Sequence, residues 1–221
     1  MRRVLAAVIA VLALVAPAGA GIISVSTGPG EAVTIFAPGQ LANGQTVTAQ
    51  AFAATASDLG SFDAYCVDLN HYIDVPGTYK YDPDPMSTWS APGGGGASGT
   101  GGFAAWLYNE YAATVTTANK AALQVAIWEV LYETDEKETG FAWDATSGSG
   151  FSISNNASVA AQANLYLASI GSKAEATWLR LDDGLNNRTQ DLIGPAPVPE
   201  PGTLLLLGSG IAALRLRRRK A

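Results

Sequence analysis

Residues Ala118 to Glu133 read ANKAALQVAIWEVLYE, and this run decides what kind of molecule the chain makes. Leu123, Ile127, Val130 and Leu131 recur at i, i+4, i+7 and i+8, the apolar stripe of a core-facing helix, with Thr117 or Asn119 placed to cap it. Gln124 lies beside that stripe, with Ile127 and Trp128 as its i+3 and i+4 neighbours. An amide aimed at apolar surroundings costs about 1 to 3 kcal/mol when unpartnered, so Gln124 must be hydrogen-bonded, exposed or chemically altered. Alteration needs a thiol.

Outward from this helix, Phe103–Val115 and Ala157–Ile170 read as two more, the latter capped by Asn155 or Asn156 and closed by Gly171. The first half of the chain is β-prone. Ile22–Ser26, Ala32–Phe36 and Thr46–Ala53 are short runs separated by Gly-Pro-Gly, Pro-Gly and Asn-Gly turn signals. Ser61–Asp68 and His71–Tyr81 read as two strands around a tight connection at Leu69-Asn70, and Trp178–Leu181 and Arg188–Ile193 as returns to the sheet. The stretch from Asp82 to Gly102, Gly-rich over 85–102, reads as a mobile surface loop. The expectation is an α+β fold, a small β-barrel or sandwich subdomain packed with a helical one, in a single domain over residues 21–194.

Composition narrows the function. Of 221 residues, 48% are hydrophobic and 14% charged, too apolar for disorder. Between residues 21 and 194 there are six basic and eighteen acidic side chains, which repel phosphate backbones and exclude nucleic acid as a partner. One Cys and one His exclude a structural zinc site and an intrachain disulfide.

Both termini carry address signals. Met1-Arg2-Arg3, the apolar run Val4–Val15 and Ala18-Gly19-Ala20 form a signal peptide over 1–20, with cleavage expected after Ala20. At the other end, a Pro-rich spacer over 195–202 contains Pro199-Glu200-Pro201. An apolar segment over 203–214 and a basic tail over 215–221 follow it. The basic tail is expected to stay cytoplasmic. Twelve apolar residues fall short of the roughly 20 that a stable membrane helix needs, which suits a transient inner-membrane anchor. This tripartite tail closely resembles the PEP-CTERM sorting signal of Gram-negative bacteria. The resemblance implies an exosortase-type enzyme as a partner and delivery to the cell surface or extracellular matrix.

The thiol that Gln124 calls for is Cys66, in Tyr65-Cys66-Val67-Asp68. A thiol can attack a glutamine carboxamide, expel ammonia and leave an internal thioester. Tyr65-Cys66-Val67 followed by Leu123-Gln124-Val125-Ala126-Ile127-Trp128 resembles the paired motifs of thioester domains in bacterial surface adhesins, over roughly residues 60 to 135. Leu123 stands where that family often has Thr, and its known members are mainly Gram-positive proteins anchored by a different sorting tail. The resemblance implies a Cys66–Gln124 cross-link and a mixed β and helical architecture.

His71 invites a Cys-His nucleophile. On one strand an offset of five places the two side chains on opposite faces, about 17 Å apart, unless the Leu69-Asn70 turn folds them together. Near the thioester, His71 could act as a base; otherwise it is a strand-surface histidine. Asp68, Asp74, Asp82 and Asp84 could gather around calcium, although EF-hand spacing is absent, and no other cofactor or metal is indicated. Glu129, Glu133, Asp135, Glu136 and Glu138 read as a solvated helix face and its exit, with Glu133 and Lys137 an i, i+4 pair. Trp106 and Trp128 are expected in the core.

The leading expectation is an exported surface or matrix protein whose Cys66–Gln124 thioester captures a nucleophile on a protein or polysaccharide partner. Acting once per molecule, it is adhesion and not an enzyme. The alternative is a noncovalent structural or glycan-binding component of extracellular polymer sorted by the same tail. A secreted hydrolase lacks a persuasive triad or metal set.

Overall fold

The computed structural model describes residues 20–134, 143–183 and 188–196. Seven strands form one antiparallel sheet: β1 (Gly21–Phe36), β2 (Thr46–Ala56), β3 (Gly60–Cys66), β4 (Gly77–Pro85), β5 (Ser152–Ser154), β6 (Thr177–Asp182) and β7 (Leu192–Gly194). Their order is β2-β3-β7-β6-β4-β1-β5, and β1 also pairs with β2. Six strands therefore close on themselves as a barrel, with β5 appended to the far end of β1. The expected α+β architecture stands in its barrel form.

The interior follows from register. Ile23 pairs with Ala56 and Tyr79, Val25 with Ala54, Phe52 with Ala64, Tyr81 with Leu181, and Leu192 with both Leu179 and Cys66. Side chains directly opposite share a face, so these residues point together into the barrel, and all are buried. Cys66 is thus an interior residue. Gly28-Pro29-Gly30 does not separate two strands. It is a register shift within β1, and past it Val33 and Ile35, with Ala49 and Ala51 of β2, are buried on the side where the helices pack.

The helices are α1 (Gly101–Tyr111), α2 (Lys120–Tyr132) and α3 (Ala157–Ala168). Twelve of the thirteen α2 residues are buried, because α2 lies between α1 and α3 and the strands β1, β2 and β3. A helix apolar all round is a central helix. Neither Thr117 nor Asn119 caps it through a side chain; a 3₁₀ turn at Thr117–Asn119 leads in instead. Asn156 does cap α3, its side chain accepting from the Val159 N–H at 3.2 Å.

Two sequence expectations are corrected. The strand expected from His71 begins at Gly77. The stretch 82–102 is not a loose surface loop: Asp82–Pro85 complete β4 opposite β6, and Met86 and Trp89 are buried. The Trp89 ring sits edge-on to Tyr132 at 5.6 Å, and the Ala97 N–H donates to the Leu131 carbonyl at 2.8 Å. Hydrophobic anchors at its start overrule the flexibility its glycines allow.

After β7 the chain leaves beside the start of β3. The Thr177 hydroxyl donates to the Pro195 carbonyl at 2.6 Å, and Pro195 lines a depression with Ser61, Phe62 and Asp63. Among the described residues no helix is long and apolar enough to cross a membrane; the apolar run 203–214, expected to do so transiently, lies outside them, as does the signal segment.

A Cβ on Gly101 would sit 1.9 Å from the Met86 carbonyl oxygen, whereas Gly94, with φ +87°, faces open space. Gly101→Ala is expected to lower stability by about 3 kcal/mol and Gly94→Ala by about 1, measured by urea denaturation of the full-length chain. Equal losses would mean that the 86–102 segment is not packed against the core.

Candidate functional site

The β2–β3 ladder ends at the Ala51–Tyr65 pair, after which the two strands part. On its other side β3 continues to pair with β7, where the Val67 N–H donates to the Asp191 carbonyl at 3.0 Å. Backbone groups alternate in direction along a strand, so the N–H and C=O of Cys66 face the side that β2 has just vacated. Gln124 occupies that vacancy. Its Oε1 accepts from the Cys66 N–H at 2.7 Å and its Nε2 donates to the Cys66 carbonyl at 2.8 Å. The carboxamide stands in for the missing peptide of β2, and both partners are sealed from solvent.

Gln124 is the first of a stripe. Trp128 and Tyr132 follow at i+4 and i+8 on the same face of α2, all three directed at residues 66–69. The Tyr132 hydroxyl donates to the Val67 carbonyl at 3.1 Å and accepts from the Leu69 N–H at 3.0 Å. The thiol of Cys66 donates to the Asp68 carbonyl at 3.0 Å and accepts from the Asp68 N–H at 3.3 Å. Burial, followed by the Asp68 charge, pushes the thiol pKa far up; hydrogen bonding from the Asp68 backbone offsets part of this. As a free group Cys66 is a protonated thiol.

The opening between β2 and β3 is a cavity of about 300 Å³. Gln45 to Thr48 and Gln50 form one wall and Leu69, His71, Tyr72, Ile73 and Val75 the other, with Cys66, Gln124 and Trp128 also lining it. The sequence-predicted trio of Cys66, Gln124 and His71 is therefore brought to one place. The separation expected for Cys66 and His71 is overturned, because β3 stops at Cys66 and the chain doubles back. The Asp68 carboxylate makes that turn, accepting from the Asn70 N–H at 2.8 Å on Oδ1 and holding the His71 Nδ1 at 2.7 Å on Oδ2. Asp68 is fully buried, while the His71 side chain keeps 34% exposure.

Asp191, beneath the segment, was not singled out by sequence. It accepts from the Trp178 indole at 3.0 Å, the Leu181 N–H at 3.2 Å and the Arg188 guanidinium at 2.6 Å. Burial nevertheless raises its pKa to about 6, against the lowering influence of Arg188. Sequence does not mark Tyr132 either, and it offers Asp68 only as a calcium candidate, not as the residue that holds His71. The i, i+4, i+8 spacing from Gln124 would have found Tyr132; nothing local marks Asp191.

Among the described residues no three His, Cys, Asp or Glu side chains gather as metal ligands, and Asp84 is paired with Arg180 at 2.8 Å. Two of the acidic residues assigned to a solvated helix face are buried. Glu129 accepts from the Asp144 N–H at 3.0 Å, and Glu133 from the backbone of Gly150 and Phe151 at 3.3 and 3.4 Å. Asp135, Glu136, Lys137 and Glu138 lie outside the described residues. Trp128 is in the core as expected, and Trp106 is partly buried against it.

Residues 197–220 match the model of the PEP-CTERM protein-sorting motif, which contains the expected Pro199-Glu200-Pro201. The chain is thereby an exported protein with the tail that exosortase-type enzymes process, directed to the cell surface. No curated protein and no solved structure matches the chain.

Gln124→Leu leaves two buried backbone groups of Cys66 unpaired and is expected to cost about 2 to 4 kcal/mol, with Tyr132→Phe costing about half as much, by chemical denaturation. For Asp191 the folded-state pKa is raised, so the folded chain binds the proton more tightly than the unfolded one. Its unfavourable contribution is absent below about pH 4 and complete above about pH 6. The stability of the wild-type chain relative to Asp191→Asn is expected to fall by roughly 2 to 3 kcal/mol across that window. A difference independent of pH would refute the assignment.

Proposed function

We propose that this exported chain forms an internal thioester between Cys66 and Gln124 and uses it once, to bind covalently to a nucleophile on a surface or polymer partner. The observation that carries the reading is the placement of the Gln124 carboxamide on the backbone of the cysteine itself, within a cavity that opens to solvent. Formation is balanced without a further reagent. The sulfur of Cys66 bonds to Cδ of Gln124, the C–N bond breaks, and the thiol proton leaves with the nitrogen as ammonia.

Three features favour that step. The Cys66 N–H already polarises Oε1 and is in position for the oxyanion of the tetrahedral intermediate. The Asp68 N–H, at 3.3 Å from the sulfur, favours the thiolate. The buried floor keeps water from the acyl carbon. In capture the sulfur becomes the leaving group: the incoming amine or hydroxyl bonds to Cδ, the C–S bond breaks, and the nucleophile's proton goes to sulfur. One bond is formed per molecule, so the activity is adhesion and not turnover.

A second reading has its own support. The amide of Gln124 is fully hydrogen-bonded as it stands, which suits a noncovalent structural or glycan-binding component of extracellular polymer in which Gln124 only closes the gap beside β3.

Mass spectrometry of the full-length chain, prepared without reductant, separates the two. A thioester lowers the mass by about 17 Da relative to the sequence, and the deficit is expected to vanish in Cys66→Ala and on treatment with methylamine, which frees one thiol. Full mass with one titratable thiol after unfolding would leave the noncovalent reading.

A further inference from the structure

We propose that the acceptor taken at this site is the hydroxyl of a neutral carbohydrate, activated by His71. The inference rests on the thioester reading and names its partner class.

The lining of the cavity carries the first half. Besides Gln124 and His71 its polar side chains are Gln45, Thr46, Thr48, Gln50, Tyr72 and Gln190, and among the described residues no Asp, Glu, Lys or Arg lines it. In a domain with eighteen acidic residues against six basic, that wall is distinctive. An entering lysine ammonium would lose its hydration and meet no carboxylate on the lining, the Asp68 carboxylate behind it being fully buried and engaged by Asn70 and His71, which is costly. A sugar meets what it can use. Amides and hydroxyls exchange hydrogen bonds with its hydroxyls, and Tyr72, 58% exposed, offers a ring face at the mouth. The wall is ordered for this: the Tyr72 hydroxyl donates to Gln45 Oε1 at 2.8 Å, and Gln45 Nε2 donates to the Leu41 carbonyl at 2.7 Å. Gln190 Nε2 donates to the Asp68 carbonyl at 3.2 Å.

The second half follows from chemistry. A neutral amine attacks an acyl carbon unaided, but a hydroxyl needs its proton removed. His71 lines the same cavity, and its Nδ1 is held at 2.7 Å by the buried Asp68 carboxylate. That contact fixes the proton on Nδ1 and leaves Nε2 as the base, the arrangement that orients an imidazole for this work. In the step, Nε2 takes the hydroxyl proton as the sugar oxygen bonds to Cδ of Gln124 and the C–S bond breaks. The imidazolium then returns the proton to the departing sulfur, whose burial makes a bare thiolate costly. The products are an ester on the Gln124 side chain and the thiol of Cys66.

The test offers the thioester-bearing full-length chain a dextran oligosaccharide and a peptide with a blocked N-terminus and one free lysine side chain in competition, with adducts read by intact mass and esters identified by cleavage with hydroxylamine. The saccharide ester is expected to dominate. In His71→Gln, which keeps a hydrogen-bonding side chain, ester formation is expected to slow about 100-fold while methylamine capture changes by less than about threefold. A wild-type chain that takes only the lysine peptide overturns the proposal, as does a variant that esterifies at the wild-type rate. Lack of the ammonia-loss deficit in the wild-type chain removes the thioester reading and this one together; a deficit without a saccharide adduct removes this one alone.

Discussion

Everything distinctive about this fold depends on one pairing, the Gln124 carboxamide against the backbone N–H and C=O of Cys66. A barrel strand that loses its neighbour before its last residue must find donors and acceptors elsewhere, because a buried unpaired peptide group is too costly to keep. Here the substitute comes from the middle of a helix. That choice sets the depth and rotation of α2, since the amide can meet both peptide groups only with its helix facing the gap. Trp128 and Tyr132 then meet residues 66–69 as a consequence of the α-helical repeat. The interaction that seals the sheet is also the one that brings an acyl carbon to a thiol.

The segment after Cys66 extends the same economy. Asp68 makes the turn, fixes His71, and offers its carbonyl to both the thiol and Gln190. Two carboxylates, Asp68 and Asp191, are fully buried within this region, and each is held by several donors. Polar groups at such depth contribute little net stability but exclude other arrangements of the loop, so the cavity wall has one shape.

Much of this was legible in the sequence, and the failures share a cause. The central helix and the closing return to the sheet follow from local pattern, and Gln124 stands out there as an amide among apolar neighbours. What was misread is where a distant group overrides a local one. His71–Pro76 has the alternation of a strand, but the Asp68 side chain captures the backbone first. Gly-Pro-Gly at 28–30 signals a turn, yet β2 pairs on both sides of it and reduces it to a shift of register. Glu129 and Glu133 look solvated until backbone N–H groups of residues 144–151 fold over them. Asp191 has no local signature, because its donors arrive from β6 and the chain before β7.

The exit of the chain at the beginning of β3 has a consequence for which faces of the barrel stay free. Pro195 lies beside Ser61 to Asp63, and Cys66 is three to five residues further along the strand, about 10 to 17 Å away at the strand rise. Between Ala196 and Thr203, where the apolar run opens, the chain can reach at most about 25 Å. The tail and the mouth between β2 and β3 thus belong to opposite ends of one strand, so an enzyme that engages the sorting signal and a partner that enters the opening need not compete for the same face of the barrel.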